Sequence, residues 1–297
     1  MGNAIEIKHV SQHYKNKQVL RDINLVVPEN SILGLIGENG AGKTTLMKAM
    51  LGLVQISSGD ILIHGSSIKQ INALQKVSFL LEPRYYSYLS PYEMLKNLLI
   101  TSNQYKYSSR QDIIELLRQL KLDSVAKKNI NTFSFGMKQR VALAMAMIRK
   151  PSILILDEPF VGLDVQGVQL FNTVINELVV SKQCTVILSS HQLNEIQELS
   201  SEIAYIDGGL LSVYDSISNL VVTNYWFTFE RAITTIPDAL VELCKEIFLE
   251  NEHVLFVSST SDFIFRKVSE IFSDNRIVDI RKEKSGLHTL FAKGGEK

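Results

Sequence analysis

The sequence predicts an α/β fold: a parallel sheet at its centre, antiparallel strands ahead of it, a helical insertion within it and a small α+β domain behind. Three observations carry that expectation. A continuous apolar run at residues 31–36 leads straight into Gly37-Glu38-Asn39-Gly40-Ala41-Gly42-Lys43-Thr44, an intact G-x-x-x-x-G-K-[ST] pattern. Two more short apolar runs, at 153–156 and 185–188, each end on polar residues, as parallel strands do where they present a ligand site. Beyond residue 218 such motifs stop, and short strand-like and helix-like segments alternate. The expected division is a nucleotide-binding domain over residues 1–218, with its helical insertion near 85–150, and an accessory α+β domain over 219–297.

Taken in order, Ile5 and Ile7, then Ile23, Leu25 and Val27, alternate with polar residues, which predicts half-buried antiparallel strands. Residues 31–36 do not alternate, and a run apolar on both sides suits a central strand covered on both faces. Leu46, Met47, Met50 and Leu51 are helically spaced within 43–53, so the glycine loop lies between a strand and a helix, where its mechanism requires it. Residues 77–81 read as a short strand. Residues 91–100 and 110–122 carry Leu, Ile and charges at a period of 3.6, the helices of the insertion. The C-terminal part reads as strands at 225–230, 253–258 and 276–281, helices at 237–247 and 262–272, and a last segment at 287–292.

Composition narrows the function. Lys plus Arg and Asp plus Glu number 31 each, so no bulk charge draws the chain toward nucleic acid. Cys184 and Cys244 are far apart and lie near apolar runs, which reads as reduced, buried thiols and suits the cytosol. No stretch approaches the ~20 apolar residues of a membrane span, and residues 141–148 fall short. The N-terminus lacks a secretory signal, and Glu6 stands where a myristoylation motif needs Ser or Thr. A mean hydropathy of +0.08 leaves two readings open: a surface that docks on a membrane protein, or a large core.

The glycine loop has a definite chemistry. Backbone N–H groups of Glu38, Asn39, Gly40, Ala41, Gly42, Lys43, Thr44 and Thr45 can wrap phosphates, and Gly37, Gly40 and Gly42 let the chain curve around them. Lys43 would place its ammonium on the β- and γ-phosphates of ATP, and the Thr44 hydroxyl would ligate Mg²⁺. Asp157 follows the apolar run Ile153-Leu154-Ile155-Leu156, where its carboxylate can hold Mg²⁺ directly or through water. Glu158, next along, can polarise the water that attacks the γ-phosphate.

Seven residues turn this general loop into a particular machine: Ser134-Phe135-Gly136-Met137-Lys138-Gln139-Arg140, followed by a helix-forming run and then Asp157-Glu158. They resemble the signature motif of the ABC-type ATPases, in the form S-x-G-M-K-Q-R. The motifs stand in that family's order from Tyr14 to His191, about two-thirds of the chain. The resemblance implies a P-loop NTPase fold of ABC type: a RecA-like core, an antiparallel β subdomain and a helical insertion. It implies that His191, after 187–190, contacts the γ-phosphate, that Val161-Gly162-Leu163-Asp164 is the D-loop at a dimer interface, and that Tyr14 stacks on adenine, with His13 the alternative. In such ATPases Ser134 and the backbone at Gly136, at a helix N-terminus, donate to a γ-phosphate. One chain cannot bring them to its own Lys43, so the implied assembly is a head-to-tail homodimer bound to an integral-membrane permease, peripheral on the cytoplasmic face.

One departure places the chain further. Where these ATPases usually carry Gln after a short strand, this sequence has Glu82-Pro83. A glutamate there resembles the ATPase subunits of bacitracin-resistance and lantibiotic-immunity exporters, whose segment is the E-loop. Glu82 exchanges an amide oxygen for an anionic one, which should hold Mg²⁺ or the attacking water more strongly but cannot donate a hydrogen bond. The ending Ser285-Gly286-Leu287-His288-Thr289-Leu290-Phe291 also resembles drug and bacteriocin export ATPases, with His288 where those often have Glu. The tyrosines at 85, 86, 88 and 92 suit either a docking groove for the permease or packing of the insertion. The alternative class, a soluble ABC-type ATPase acting on nucleic acid or ribosomes, would generally carry two nucleotide domains or a long inserted coiled coil. Neither is present. A scaffold without turnover would lack Glu158 or His191, and both are intact.

Overall fold

The computed structural model describes residues 2–15, 17–70, 72–81, 88–102, 104–105, 110–181, 184–191, 196, 199–214, 222–244, 246–259 and 263–285. The chain divides into two compact units, Met1–Val213 and Tyr214–Lys297.

In the first unit, β1 (Asn3–Tyr14) and β2 (Lys17–Pro28) form a long antiparallel hairpin. β4 (Ser58–Ile63) and the two-residue β5 (Ser66–Ser67) extend it into a sheet ordered β2-β1-β4-β5. Ile5, Ile7, Leu25 and Val27 are buried while Lys8 and Val26 face solvent, so the alternation in the sequence is the burial pattern of a sheet with one face covered.

The second sheet contains β3 (Ile32–Ile36), β6 (Val77–Leu80), β7 (Ile153–Leu156), β8 (Thr185–Ser190), β9 (Glu202–Asp207) and β10 (Leu210–Tyr214). Its order is β10-β9-β3-β8-β7-β6, and the pairs β9-β3, β3-β8, β8-β7 and β7-β6 are all parallel. Every residue of β3, β7 and β8 is buried, as apolar runs without alternation require. Between the sheets lies α1 (Lys43–Met50), whose Leu46, Met47, Ala49 and Met50 share one core with Ile5, Leu25, Leu33, Leu35, Ile155 and Ile187. The helix stops three residues short of the 43–53 expected from spacing. Gly52, at φ 65°, turns the chain out through the left-handed region.

The insertion holds α2 (Pro91–Thr101), α3 (Arg110–Gln119) and α4 (Phe135–Met147), and α5 (Val165–Val180) precedes β8. α2 begins with a complete capping box: Ser90 accepts from Glu93 N, and the Glu93 carboxylate accepts from Ser90 N at 2.9 Å. Ser90 N, together with Ser90 Oγ donating to the same carboxylate at 2.7 Å, holds the Glu93 carboxyl below its ordinary range. α3 ends at Gln119 and not at 122, because Lys121 takes φ 54° and reverses the chain.

The second unit is an antiparallel sheet of β11 (Val222–Phe229), β12 (Glu246–Asn251), β13 (Val254–Ser259) and β14 (Ile277–Ser285), ordered β12-β13-β11-β14. Tyr225, Phe227, Phe229, Leu255 and Val257 form its inner face, closed by Leu240 from α6 (Asp238–Val241) and Ile264 and Val268 from α7 (Ile264–Ile271). The helix expected over 237–247 is only four residues long. Ile247 belongs to an edge strand instead, opposite Val257, where its side chain joins the inner face while Glu246 and Phe248 point outward. Residues 287–292 lie outside the described residues.

Cys184 and Cys244 are free thiols, and burial pushes Cys184 up to about 12. Among the described residues, no helix is long and apolar enough to cross a membrane.

Candidate nucleotide site

Three neighbouring parallel strands, β3, β8 and β7, end side by side, and each delivers a polar group at its carboxyl end. Gly37 follows β3, Ser189 and Ser190 close β8 with His191 just beyond, and Asp157-Glu158 follow β7. The parallel register sets Ile36 level with Ser190 and Leu156 level with Leu188, which makes Asp157 a neighbour of Ser189.

A connected set of side chains results. Lys43, buried to 5% exposure, donates to Gly37 O at 2.7 Å and Glu38 O at 3.3 Å, and its ammonium lies 3.4 Å from Glu158 Oε1. Thr44 Oγ1 donates to Asp157 Oδ2 at 2.7 Å, joining the loop to the end of β7. Ser189 Oγ donates to Asp157 Oδ1 at 2.5 Å and accepts from Glu158 N at 2.9 Å. His191 Nδ1 lies 2.9 Å from Glu158 Oε2, while Glu158 Oε1 is buried and, apart from the ion pair with Lys43, has no hydrogen-bond donor among the described residues. Glu158 itself takes φ 46°, a left-handed conformation that costs a non-glycine residue about 1–3 kcal/mol. Surrounding bonds, the Ser189 contact among them, hold it there.

The loop is shaped for a bound anion. Gly42 precedes α1 at φ 118° without any side-chain cap, so the first N–H groups of the helix have no acceptor from that residue. A Cβ at Gly37 would fall 2.3 Å from Ile206 O, whereas Gly40, at φ 85°, has open space beside it. Adjoining the loop is a cleft of about 410 Å³ lined by Lys17, Val19, Glu38, Asn39, Gly40 and Ala41. That volume falls within the range of small-molecule and cofactor sites. Tyr14 pairs with Lys17 across the hairpin and is 45% exposed, and its own side chain does not line this cleft. His13 is exposed beside it, its N–H donating to Ser57 Oγ at 3.1 Å. Thr45 lies in the first turn of α1.

For Mg²⁺ the donor set is hard oxygen: a hydroxyl at Thr44 and a carboxylate at Asp157, already in contact. Among the described residues, no three or more His, Cys, Asp or Glu side chains are arranged to hold a metal ion by themselves. Glu82 lies outside the described residues. Leu80, two positions earlier, is level with Leu156, and its carbonyl accepts from Asp157 N at 2.7 Å.

The segment expected to be the signature packs on the segment expected to be the D-loop of its own chain. Ser134 caps α4 by accepting from Met137 N at 3.3 Å, and Gln139 Nε2 donates to Pro159 O at 3.2 Å from a buried position. Gly136 approaches Gly162 O and Leu163, and Met137 and Lys138 are half-buried. Gly162, at φ 75°, lies so close to the Phe135 ring that a Cβ would be 2.2 Å from Cδ1. Asp164 caps α5 by accepting from Gly167 N at 2.8 Å, while Phe135 stays 59% exposed. Sequence reasoning missed Ser189 as the hub of the carboxylates and Gln139 as a tether to Pro159. The one available signal for Ser189 was a polar pair, Ser189-Ser190, closing an otherwise apolar strand.

Fold and site together define a P-loop ATPase with an inserted helical segment. The family model for ABC transporter matches residues 20–161. The lantibiotic transport ATP-binding protein SrtF of Streptococcus pyogenes is 34% identical over 219 residues, 73% of this chain and 93% of that protein. The bacitracin transport ATP-binding protein BcrA of Enterococcus faecalis is 36% identical over 231 residues, 77% and 74% of the two chains. The uncharacterized ABC transporter ATP-binding protein YcbN of Bacillus subtilis is 35% identical across 99% of this chain and 97% of its own. A solved ATP binding subunit of an ABC transporter superposes with a TM-score of 0.65 at 28% identity, covering 73% of this chain and 92% of that one. The chain belongs to the ABC transporter family, as an ATPase of its ATP-binding subunits.

Proposed function

We propose that this chain is the ATP-hydrolysing subunit of an exporter that moves an antimicrobial peptide of the lantibiotic or bacitracin class, or confers immunity to one, by powering a separate membrane permease. The observation that carries the hydrolytic part is the linked set Lys43, Thr44, Asp157, Ser189, Glu158 and His191 at three strand ends. The transport part is supported by relatives named for lantibiotic and bacitracin transport. In this reading the loop N–H groups and Lys43 bind the triphosphate. Thr44 and Asp157 hold Mg²⁺, which when bound offsets phosphate charge. Glu158 orients the attacking water through Oε1 and receives its proton, and His191 fixes Oε2 of the same carboxylate. Tyr14 supports the adenine. Glu82 acts near the metal and links nucleotide state to the permease. The nucleotide-binding domain spans 1–218 and the accessory domain 219–297, and the protein sits on the cytoplasmic face through its permease.

Two chains are needed. Ser134, Phe135, Gly136, Met137, Lys138 and Gln139 of one chain close the ATP held by Lys43 of the other, and Gly162, Leu163 and Asp164 run along the junction. Packing of Phe135 against Gly162 supports this, because it makes signature and D-loop one surface. The test is Glu158→Gln: purified with ATP and Mg²⁺ it is expected to lose steady-state hydrolysis and to elute as an ATP-bound dimer, and a monomer under excess ATP would count against the mechanism. Co-purification of the wild-type chain with a permease from membranes tests the transport part.

A further inference from the structure

Lys43 is the cation that phosphate chemistry needs, and it is already engaged within the chain. Among the described residues its buried ammonium reaches three acceptors: Gly37 O at 2.7 Å, Glu38 O at 3.3 Å and Glu158 Oε1 at 3.4 Å. The two carbonyls are neutral and belong to the glycine loop itself, whereas Glu158 brings a full charge from the end of β7. Its contact with Lys43 is an ion pair without hydrogen-bond geometry, so Oε1 is a buried acceptor engaged by charge alone. Side-chain exposures of 6% for Lys43 and 25% for Glu158 keep most water away from the pair, where opposite charges attract more strongly than at an open surface.

We infer that Glu158 competes with the nucleotide's phosphates for Lys43, and that their pair is an autoinhibitory contact: it occupies the carboxylate until a phosphate draws the ammonium away. This regulates the site of the proposed function above and rests on that reading. The exchange is carried by the lysine, because Glu158 is tied elsewhere. His191 Nδ1 lies 2.9 Å from its Oε2, and its backbone N–H donates to Ser189 Oγ at 2.9 Å. Lys43 instead carries its charge on a four-carbon stem with rotatable bonds. A polyphosphate seated on the loop N–H groups offers that ammonium more negative charge than one carboxylate does, and short charge-assisted hydrogen bonds in place of an ion pair. Once the ammonium has left, Oε1 is a buried charged acceptor without a donor, a costly condition that a water beside the phosphate relieves. Glu158 therefore gains its water in the same step that seats the phosphates, and its carboxylate is neutralised by Lys43 at other times.

The experiment is a double-mutant cycle on ADP affinity, measured by equilibrium dialysis of the full chain with a chelator present, so that neither metal nor turnover enters. Glu158→Gln keeps the shape and removes the charge; it is expected to bind ADP roughly 5- to 50-fold more tightly than wild type, within the range of coupling between residues in contact. Glu158→Ala should tighten binding as well. In a Lys43→Met background the apolar stem remains but no ammonium is left to compete for, so Glu158→Gln should change ADP affinity by less than about twofold. An affinity unchanged by both Glu158 variants would overturn the inference and leave the proposed function standing. Equal tightening with and without Lys43 would overturn it too, because plain repulsion between carboxylate and phosphate then explains the gain. A wild-type chain that binds no ADP would sink the proposed function and the inference together.

Discussion

Replacing Ser189 with alanine probes how the two carboxylates are set. Its hydroxyl is fully buried, donates to Asp157 Oδ1 at 2.5 Å and accepts from Glu158 N at 2.9 Å. Losing a bond to a charged group costs about 1.5–3 kcal/mol, and stranding a buried N–H about 1–3 kcal/mol. These losses overlap, because Asp157 keeps Thr44, so a total of about 2–5 kcal/mol is reasonable. Glu158 at φ 46° loses one of the bonds that hold its backbone, so part of the cost appears when the attacking water must be oriented. If half is expressed in the transition state, kcat falls roughly 5- to 70-fold at 1.36 kcal/mol per factor of ten. The remainder lowers folding stability. Phosphate release at saturating ATP and urea unfolding measure the two parts, and equilibrium nucleotide binding should change little, since Ser189 bonds to the strand-end acids and not to the glycine loop. A kcat within twofold of wild type together with unchanged unfolding would refute the argument.

Gly162→Ala should damage the joint between signature and D-loop: a Cβ there meets the Phe135 ring at 2.2 Å with φ at 75°. A loss of about 1–3 kcal/mol in stability and a larger fractional loss of ATPase activity are expected, measured by thermal unfolding and phosphate release, and wild-type values in both would contradict it. Cys184 makes stability depend on alkaline pH. Burial raises the folded thiol from 9.0 to about 12, so its contribution is whole below pH 9 and is lost as pH climbs from 9 toward 12. Each unit is worth about 1.4 kcal/mol. Urea unfolding of wild type and Cys184→Ala between pH 8 and 10.5 should therefore converge with rising pH, whereas parallel curves would contradict the assignment. Glu82→Gln should retain ATP binding while changing the ratio of transport to hydrolysis, and unchanged export or immunity would remove Glu82 from the coupling path.

What the sequence made legible was contiguous. Residues 31–44 announce strand, loop and helix in one stretch, and 153–158 announce strand and acids in another, because each motif carries its own structural context. Ser189 was not legible as a hub, since its role depends on β8 lying beside β7 in a register that sets Leu188 level with Leu156. The left-handed backbone of Glu158 was hidden for a related reason: it is imposed by tertiary bonds and not by residue type. At 237–247 apolar spacing suggested one helix, but pairing of Ile247 with Val257 drew its end into an edge strand. Helix ends at Met50 and Gln119 fell short of the apolar pattern because Gly52 and Lys121 turn the chain while Leu51, Leu120 and Leu122 remain buried beyond the helix ends, and Leu53 is left exposed.

The central claim is that each ATP is closed by the signature of a second chain, and complementation tests it most directly. Lys43→Ala and Ser134→Arg chains are each expected to be inactive alone. Mixed in equal amounts, half of the randomly formed dimers hold one intact Lys43 facing one intact Ser134, so about a quarter of wild-type ATPase activity should return. Hydrolysis that does not recover on mixing, or a Ser134→Arg chain as active as wild type, would contradict the account.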